Sequence, residues 1–269
     1  MSSCNLYVRQ ASQLLGFVNL HRSESASSAG KATGVRMSSV GGPRITSAPM
    51  IESVFFDVGE TIVDETREYG TWADWLGVPR HTFSAVFGAI IARGGDYRET
   101  FQVFRPGFDL AWERQKRFDA GQPEMFSEAD LYPDARPCLA SLKAMGLLVG
   151  LAGNQTSRAE DILHSLELPV DLIGTSEGWG VEKPSPAFFE RLIAEAGCPA
   201  EEVLYVGDRL DNDVRAAQDF GLPTTLIRRG PWGYILSDPD RERRCLFAIS
   251  SLAELPALIA EHGYRAISS

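Results

Sequence analysis

The sequence predicts an α/β fold in which a parallel sheet carries helices on both faces and a small helical domain is inserted near its beginning. Five short apolar runs indicate the sheet. They are nearly continuous and rich in β-branched or aromatic residues, as expected for strands that are covered on both faces. Amphipathic segments lie between the later runs, and several of these segments end in glycine. Strands that alternate with helices favour a parallel sheet.

The predicted elements can be read along the chain in order. The strands are IESVFF (51–56), GLLVGLA (146–152), VDLIG (170–174), EVLYVG (202–207) and PTTLI (223–227). The helices between them are ARPCLASLKAMG (135–146), SRAEDILHSLEL (157–168), PAFFERLIAEAG (186–197) and NDVRAAQDFG (212–221). A short strand, AIS, and the helix SLAELPALIAEHG (251–263) complete the sheet. The segment RRGPWG (228–233) is interpreted as a structural turn in which Trp232 packs locally.

Residues 66–131 interrupt the alternation of strands and helices. Two sets of apolar residues recur there at helical spacing: Tyr69, Trp72, Ala73 and Leu76, then Phe83, Val86, Phe87, Ile90 and Ile91. We therefore expect a helical cap over 66–131, inserted into a core domain formed by 50–65 and 132–269. The aromatic residues of the cap are expected to form its own hydrophobic core.

Residues 1–49 differ from the rest of the chain in composition. They are rich in serine and glycine, carry several arginines, and contain a single acid, Glu24. Such a segment is a poor core-former. We interpret it as a disordered leader or as translated sequence upstream of Met50, and an organelle transit peptide is the alternative.

Charge and cysteine content limit the possible partners and compartment. The net charge of −10, with no basic patch in the body of the chain, argues against a general nucleic-acid binder or an anionic-membrane binder. The four cysteines are far apart, so they suggest neither a zinc site nor a disulfide framework. No run approaches the roughly 20 apolar residues that a membrane span needs. We expect a soluble cytoplasmic monomer or homodimer, or an organellar one if 1–49 is a transit peptide.

Polar residues follow several of the predicted strands directly. Asp57 follows the first strand and Asn154 the second, Lys183 lies in GVEKP, and Asp208 and Asp213 lie in VGDRLDND. Ligands of open parallel sheets bind outside the carboxyl ends of the strands. These five residues are therefore the first candidates for a functional site.

Three of these segments, FFDVGET, GVEKPSPAFF and VGDRLDNDVRAA, resemble the motifs of the haloacid dehalogenase-like (HAD) hydrolase superfamily. The resemblance extends from Ile51 to about Gly233 and includes the branch with a helical cap after the first strand. It implies a Rossmann-like core and a hydrolase, with Asp57 as the nucleophile. It further implies that Lys183 neutralises Asp57 and the phosphoryl group, and that Asp208 and Asp213 hold Mg²⁺.

The chemistry of phosphoryl transfer is consistent with these roles. A carboxylate attacks an anionic phosphate poorly unless a cation and a lysine neutralise the charge. Mg²⁺ prefers oxygen ligands and keeps several waters, so Asp57, the main-chain carbonyl of Gly59 and Asp208 can suffice as protein ligands. Asp213 is then expected to orient water or Lys183 rather than to bind the metal directly. Amides of the turn after Asp57 are expected to hold the phosphoryl oxygens.

Two positions depart from the family pattern. A second aspartate usually follows the nucleophile by two residues and serves as the acid/base, but this position is Gly59. General acid/base help is worth roughly 10²–10⁴ in rate, and Glu60 is the adjacent candidate to replace it. Where a serine or threonine usually binds the phosphoryl group, the chain has Gly153, so Asn154 or Thr156 could donate instead. We expect Thr61, Gly153 and Asn154 to contact the substrate, although Asn154 could equally be a turn or helix cap.

Three functions are compatible with this pattern. The first is a Mg²⁺-dependent phosphatase or phosphotransferase that acts on a small phosphorylated metabolite through an aspartyl-phosphate at Asp57. The second is a catalytically weak regulatory protein that binds phosphate and Mg²⁺, which Gly59 and Gly153 suggest. The third is a 2-haloacid dehalogenase, which also lacks the second aspartate but does not need the metal. Only the site can decide among them, because one fold hosts many functions.

Overall fold

The computed structural model describes residues 50–266, and a six-stranded parallel sheet forms their centre. The strand order is β3-β2-β1-β4-β5-β6. The strands are β1 (Ser53–Phe56), β2 (Leu148–Gly153), β3 (Leu172–Thr175), β4 (Val203–Gly207), β5 (Thr224–Ile227) and β6 (Phe247–Ile249). The predicted α/β fold is confirmed. The segment 1–49, for which we expected a disordered or transit-like leader, lies outside the described residues.

Strand β1 is central and fully buried, because its side chains enter hydrophobic cores on both faces of the sheet. Val54 and Phe56 pack into one core, and Phe55 packs into the other. This alternation follows from the period of two residues in a strand. Full burial of each large apolar side chain contributes about 1.5–3 kcal/mol, so β1 is a rigid support for the residue that follows it.

Four helices follow β1: α1 (Thr66–Leu76), α2 (Arg80–Ala92), α3 (Glu99–Phe104) and α4 (Leu110–Asp119). Their buried face is largely aromatic, as the helical spacing of the sequence predicts. The rings of Trp72 and Phe101 lie 5.4 Å apart, and those of Phe101 and Phe108 lie 4.8 Å apart. The helices are therefore held together by a hydrophobic core of their own.

The two ends of this helical segment lie next to each other, close to the carboxyl end of β1. Val63 and Leu131 form an antiparallel bridge, and the Asp64 amide donates to the Asp130 carbonyl at 2.8 Å. Arg67 reinforces the junction through an ion pair with Asp130. The helices consequently lie beside the carboxyl end of β1. The division into a core domain and a cap over 66–131 stays a prediction.

The remaining helices connect the strands and cover the sheet. They are α5 (Ala135–Ala144), α6 (Ser157–Ser165), α7 (Ser176–Trp179), α8 (Pro186–Ala196), α9 (Arg215–Phe220), α10 (Gly230–Ile235), α11 (Pro239–Arg244) and α12 (Leu255–His262). A π-helical turn, Leu210–Val214, precedes α9. None of the helices in residues 50–266 has the length and apolar character that a membrane span requires.

The segment RRGPWG differs from its predicted structure. It opens helix α10, and Trp232 contacts the aromatic residues of the helical segment instead of packing locally. The Trp232 ring lies 5.1 Å from that of Phe87 and 6.1 Å from that of Tyr97, and the Arg209 guanidinium lies 4.7 Å from its centroid. The interpretation of local packing was wrong, because the aromatic partners Phe87 and Tyr97 are more than a hundred residues away in the sequence.

Candidate active site

The carboxyl ends of β1 and β4 and the loop after β3 bring three charged side chains together. The Lys183 ammonium donates to Asp57 Oδ1 at 2.7 Å and to Asp213 Oδ1 at 2.6 Å. It also donates to the Tyr205 hydroxyl at 2.9 Å, and that hydroxyl donates to the Ala152 carbonyl. Lys183 therefore has a fixed position beside Asp57.

Lys183 keeps its positive charge although it is almost completely buried. Burial by itself would lower the pKa of Lys183, but the carboxylates of Asp213 and Asp57 outweigh it and raise this pKa well above its usual value. One ammonium then faces two carboxylates, and a third, Asp208, lies nearby. The centre consequently has an excess of negative charge.

Asp208 is the clearest sign that this cluster could hold a cation. Its side chain is fully buried, and neither carboxylate oxygen has a hydrogen-bond partner among the described residues. Burial and the carboxylates of Asp213 and Asp57 raise the pKa of Asp208 well above its usual value. Asp57, Asp208 and Asp213 each offer an oxygen, and these oxygens lie within 4.8 Å of one another. Such an orphaned carboxylate in an all-oxygen cluster fits Mg²⁺.

Asp213 is already occupied by protein donors. Its Oδ1 accepts from Lys183, and its Oδ2 accepts from the Arg209 amide at 3.0 Å. A Cβ at Gly207 would lie 2.3 Å from Asp213 Oδ2, so the glycine makes this approach possible. The geometry is that of a residue that positions Lys183. Among residues 50–266, Asp208 is then the carboxylate of the cluster that has no hydrogen-bond partner.

Asn154 contacts the backbone of the lysine loop. Its side-chain amide donates to the Lys183 carbonyl at 2.9 Å, and its side-chain carbonyl accepts from the Lys183 amide at 2.8 Å. Asn154 borders the cleft, yet both of its polar groups are used to hold this loop. The cap of helix α6 is Thr156, which accepts from the Ala159 amide at 3.1 Å, so Asn154 is not a helix cap.

Gly153 lies directly beside the nucleophile candidate. A Cβ at this position would lie 2.6 Å from Asp57 Oδ1. A serine or threonine there would displace the Asp57 carboxylate from its present position, so the glycine and the carboxylate are sterically matched. Position 153 can offer only main-chain groups to a ligand.

The turn after Asp57 leaves two amides free. Within residues 50–266, the amides of Val58 and Gly59 donate no hydrogen bond, whereas those of Glu60, Thr61 and the following residues do. Two adjacent free amides at the end of a central strand can bind the oxygens of an anion. The backbone of this turn, rather than its side chains, thus faces the site.

The structure does not bring Glu60 or Thr61 to the cleft. Glu60 has a left-handed backbone with φ of 53°, and its carboxylate accepts from the Tyr132 hydroxyl at 2.6 Å. Burial raises the pKa of Glu60 to about 7. Thr61 is fully buried, and its carbonyl accepts from Arg229 at 3.0 Å. The Glu60 carboxylate is thus engaged by Tyr132, and its acid/base role stays a prediction.

The site opens into a cleft of about 710 Å³ between the sheet and the aromatic helices. Asp57, Lys183 and Asp208 lie at one side, together with Gly59 and Glu65. The other walls carry the aromatic rings of Tyr69, Trp72 and Trp232, together with basic and acidic side chains: Arg98, Arg114, Arg209, Arg215, Glu68, Asp96, Glu124, Glu177, Glu182 and Asp211. The rings can contact the organic part of a ligand, and the arginines can contact its anionic group.

Glu65 is a cleft residue that the sequence analysis missed. Burial raises the pKa of Glu65 well above its usual value, and the nearby carboxylates of Glu60 and Asp57 add to this effect. Its distance of eight residues from Asp57 gives no local signal. The backbone after Asp57 folds back on itself, so that Gly59 and Val63 form a bridge, and this brings Glu65 close to the site.

A family model that describes haloacid dehalogenase-like hydrolases matches residues 51–221. A glyceraldehyde 3-phosphate phosphatase of Methanocaldococcus jannaschii is 34% identical over 48% of this chain and 56% of its own length. Another, from Pyrococcus abyssi, is 28% identical over 67% of this chain and 83% of its own length.

The chain spans about half to two thirds of the length of the first curated relatives that it matches, namely 56%, 45% and 66%. Among solved structures, a HAD hydrolase of Bacillus subtilis bound to magnesium superimposes with a TM-score of 0.59. It is 18% identical, and the match covers 78% of this chain and 99% of that chain. At this level of identity the similarity is one of fold.

Proposed function

The chain belongs to the haloacid dehalogenase-like hydrolases, and from this premise we propose that it is a Mg²⁺-dependent phosphatase with Asp57 as its nucleophile. The substrate is a small phosphorylated metabolite. One observation carries the proposal: the Lys183 ammonium is held 2.7 Å from Asp57 Oδ1, and the nearby Asp208 carboxylate has no hydrogen-bond partner within residues 50–266. The phosphatase names of the relatives in Methanocaldococcus and Pyrococcus support the same reaction class.

The residues have separate roles in this proposal. Asp57 attacks phosphorus and forms an aspartyl-phosphate, while Lys183 neutralises the nucleophile and the phosphoryl oxygens. The free amides of Val58 and Gly59 hold those oxygens. Asp213 and Tyr205 keep Lys183 charged and in position. Asn154 holds the backbone on which Lys183 lies, instead of binding the phosphoryl group itself.

Mg²⁺ would be held by Asp57, Asp208 and the main-chain carbonyl of Gly59. When bound, it would supply positive charge that offsets the negative charge of the phosphoryl group and the carboxylates. The buried oxygens of Asp208, which lack partners among the described residues, support this ligand set. They also favour a phosphatase over a 2-haloacid dehalogenase, which has no need of a buried orphan carboxylate.

The test is hydrolysis of 4-nitrophenyl phosphate and acetyl phosphate by the full chain, with Mg²⁺ and with EDTA. We expect turnover that requires Mg²⁺ and is abolished in Asp57→Asn, because an amide is not a nucleophile at phosphorus. Turnover that survives in Asp57→Asn would contradict the proposal. Mg²⁺ binding without any turnover would favour the regulatory binding protein, and release of chloride from 2-chloropropionate in EDTA would favour the dehalogenase.

A further inference from the structure

The Glu65 carboxyl group fills the space in which a side chain of residue 59 would lie. A Cβ built on Gly59 would be 2.6 Å from Glu65 Oε1 and 2.8 Å from Glu65 Cδ. Contacts this short essentially do not occur between real atoms, so a side chain at 59 and the present Glu65 carboxyl group exclude each other. The chain thus has a carboxyl group at this point, although residue 59 is a glycine.

Glu65 has no structural role that would explain its position. It occupies the N-cap position of helix α1, but its side chain makes no capping hydrogen bond. No side chain or amide in residues 50–266 donates to its carboxylate, and no ion pair involves it. Residues that cap helices usually have shorter side chains, such as Ser, Thr, Asp or Asn. The Glu65 side chain instead extends to the cleft wall that also contains Asp57, Gly59 and Asp208.

The neighbouring acids are either engaged elsewhere or too far along the helix. Glu60 is bound by the Tyr132 hydroxyl and is not part of the cleft wall. Glu68 lies one helical turn beyond Glu65 and pairs with Arg117 at 3.1 Å. Glu65 is therefore the carboxyl group that lines the cleft, lies against position 59 and accepts no hydrogen bond from the part of the chain that the structure describes.

We propose that Glu65 is the general acid and base of the reaction at Asp57, in place of the side chain that Gly59 lacks. This inference rests on the proposed phosphatase function. In the first step Asp57 Oδ attacks phosphorus, the bond from phosphorus to the ester oxygen breaks, and the Glu65 carboxylic acid gives its proton to that oxygen. The products are an alcohol, an aspartyl-phosphate and the Glu65 carboxylate.

In the second step the Glu65 carboxylate takes a proton from water, and the water oxygen attacks phosphorus. The bond from phosphorus to Asp57 Oδ breaks. This releases hydrogen phosphate and restores both the Asp57 carboxylate and the Glu65 carboxylic acid. Over both steps one water is consumed for each ester cleaved, and no other reactant is needed.

Leaving-group dependence is the specific test of the first step. The variant is Glu65→Gln, which keeps the shape of the side chain but cannot donate or accept this proton. With glycerol 2-phosphate, whose alcohol is a poor leaving group, we expect kcat/KM to fall by roughly 10²–10⁴. With 4-nitrophenyl phosphate the loss of kcat/KM should be much smaller, because 4-nitrophenolate leaves without a proton. Equal losses with both substrates would overturn the assignment.

Rapid mixing tests the second step and also shows that the variant is folded. Glu65→Gln should release about one equivalent of 4-nitrophenolate per enzyme in a burst and then turn over slowly. The slow step is hydrolysis of the aspartyl-phosphate, because no general base then activates the attacking water. The matched control is Glu190→Gln, at an exposed position of helix α8 outside the cleft, which should keep kcat within about threefold. A Glu65→Gln protein with the steady-state rate of the wild type would refute the role of Glu65 and leave the phosphatase proposal intact.

Moving the carboxyl group back to position 59 provides the rescue. We expect the double variant Gly59→Asp/Glu65→Gly to recover most of the activity on glycerol 2-phosphate that Glu65→Gln loses. Gly59→Asp alone should not exceed the wild type, since its side chain meets the Glu65 carboxyl group. If the wild type shows no turnover that depends on Asp57, the phosphatase proposal fails and the role of Glu65 fails with it.

Discussion

Replacing Asp208 by asparagine is expected to stabilise the metal-free protein. The carboxylate is buried without a partner among the described residues, and its oxygens lie within 4.8 Å of those offered by Asp57 and Asp213. Two unit charges at that separation repel by about 3.5 kcal/mol at an effective dielectric constant of about 20. Lys183 offsets part of this repulsion, and protonation of Asp208 limits the rest. We therefore expect the free energy of unfolding to rise by about 1–3 kcal/mol.

The same substitution at Asp213 should have the opposite effect. Both oxygens of Asp213 are used, by the Lys183 ammonium and by the Arg209 amide. An asparagine there removes one partner of a buried ion pair, which typically costs about 3–5 kcal/mol. Because Asp57 still pairs with Lys183, the lower end of this range is expected. Asp213→Asn is thus a matched control, with the same chemical change at a second buried aspartate.

Urea unfolding followed by tryptophan fluorescence at pH 7 can measure both changes. In EDTA, Asp208→Asn should unfold at a higher urea concentration than the wild type, and Asp213→Asn at a lower one. Mg²⁺ at about 100 times its dissociation constant should add about 2.7 kcal/mol to the wild type and much less to Asp208→Asn. The reasoning would be refuted if Asp208→Asn were less stable than the wild type in EDTA, or if Mg²⁺ stabilised both equally.

Two further predictions concern the supports of the site. Asn154→Ala removes both hydrogen bonds to the Lys183 backbone. We therefore expect kcat for 4-nitrophenyl phosphate to fall by at least about tenfold with little change in KM. An unaltered kcat would contradict this role of Asn154. Burial raises the pKa of Glu60 from 4.5 to about 7, so its contribution to stability is complete below pH 4.5 and is lost as pH rises through 7. Glu60→Gln should remove this loss of stability at higher pH, as urea unfolding of the variant and the wild type at pH 4.5, 6 and 8 can measure. A difference in unfolding free energy between the two proteins that stays constant over these pH values would contradict the assignment.

Most of the sheet could be predicted from the sequence because its signals are local. Buried strands such as VLYVG and helices such as PAFFERLIAEAG repeat their apolar residues at the period of the element that they form. The order of these elements then implies parallel pairing. The carboxyl ends of parallel strands meet at one edge, which is why Asp57, Lys183 and Asp208 could be assigned to one neighbourhood before any distance was known.

The uses of individual side chains depended on contacts that no local pattern encodes. Asn154 was expected to contact the substrate, yet its amide pairs with a backbone 29 residues away. Trp232 was assigned to a local turn, yet it packs on rings of the helical segment, including Phe87. In both cases the partner is brought close by the packing of helices and loops around the sheet.

The sequence by itself determined the fold, the family resemblance and the positions of the charged residues at the strand ends. These features depend on the spacing of apolar residues and on the order of the motifs, which are local properties of the sequence. The tertiary structure decided which carboxyl group occupies the space beside Gly59. The left-handed backbone of Glu60 turns the adjacent acid to Tyr132, and the return of the turn brings Glu65 to Gly59. Side-chain direction depends on backbone dihedral angles and on packing between distant segments, so position in the sequence could not distinguish these two glutamates.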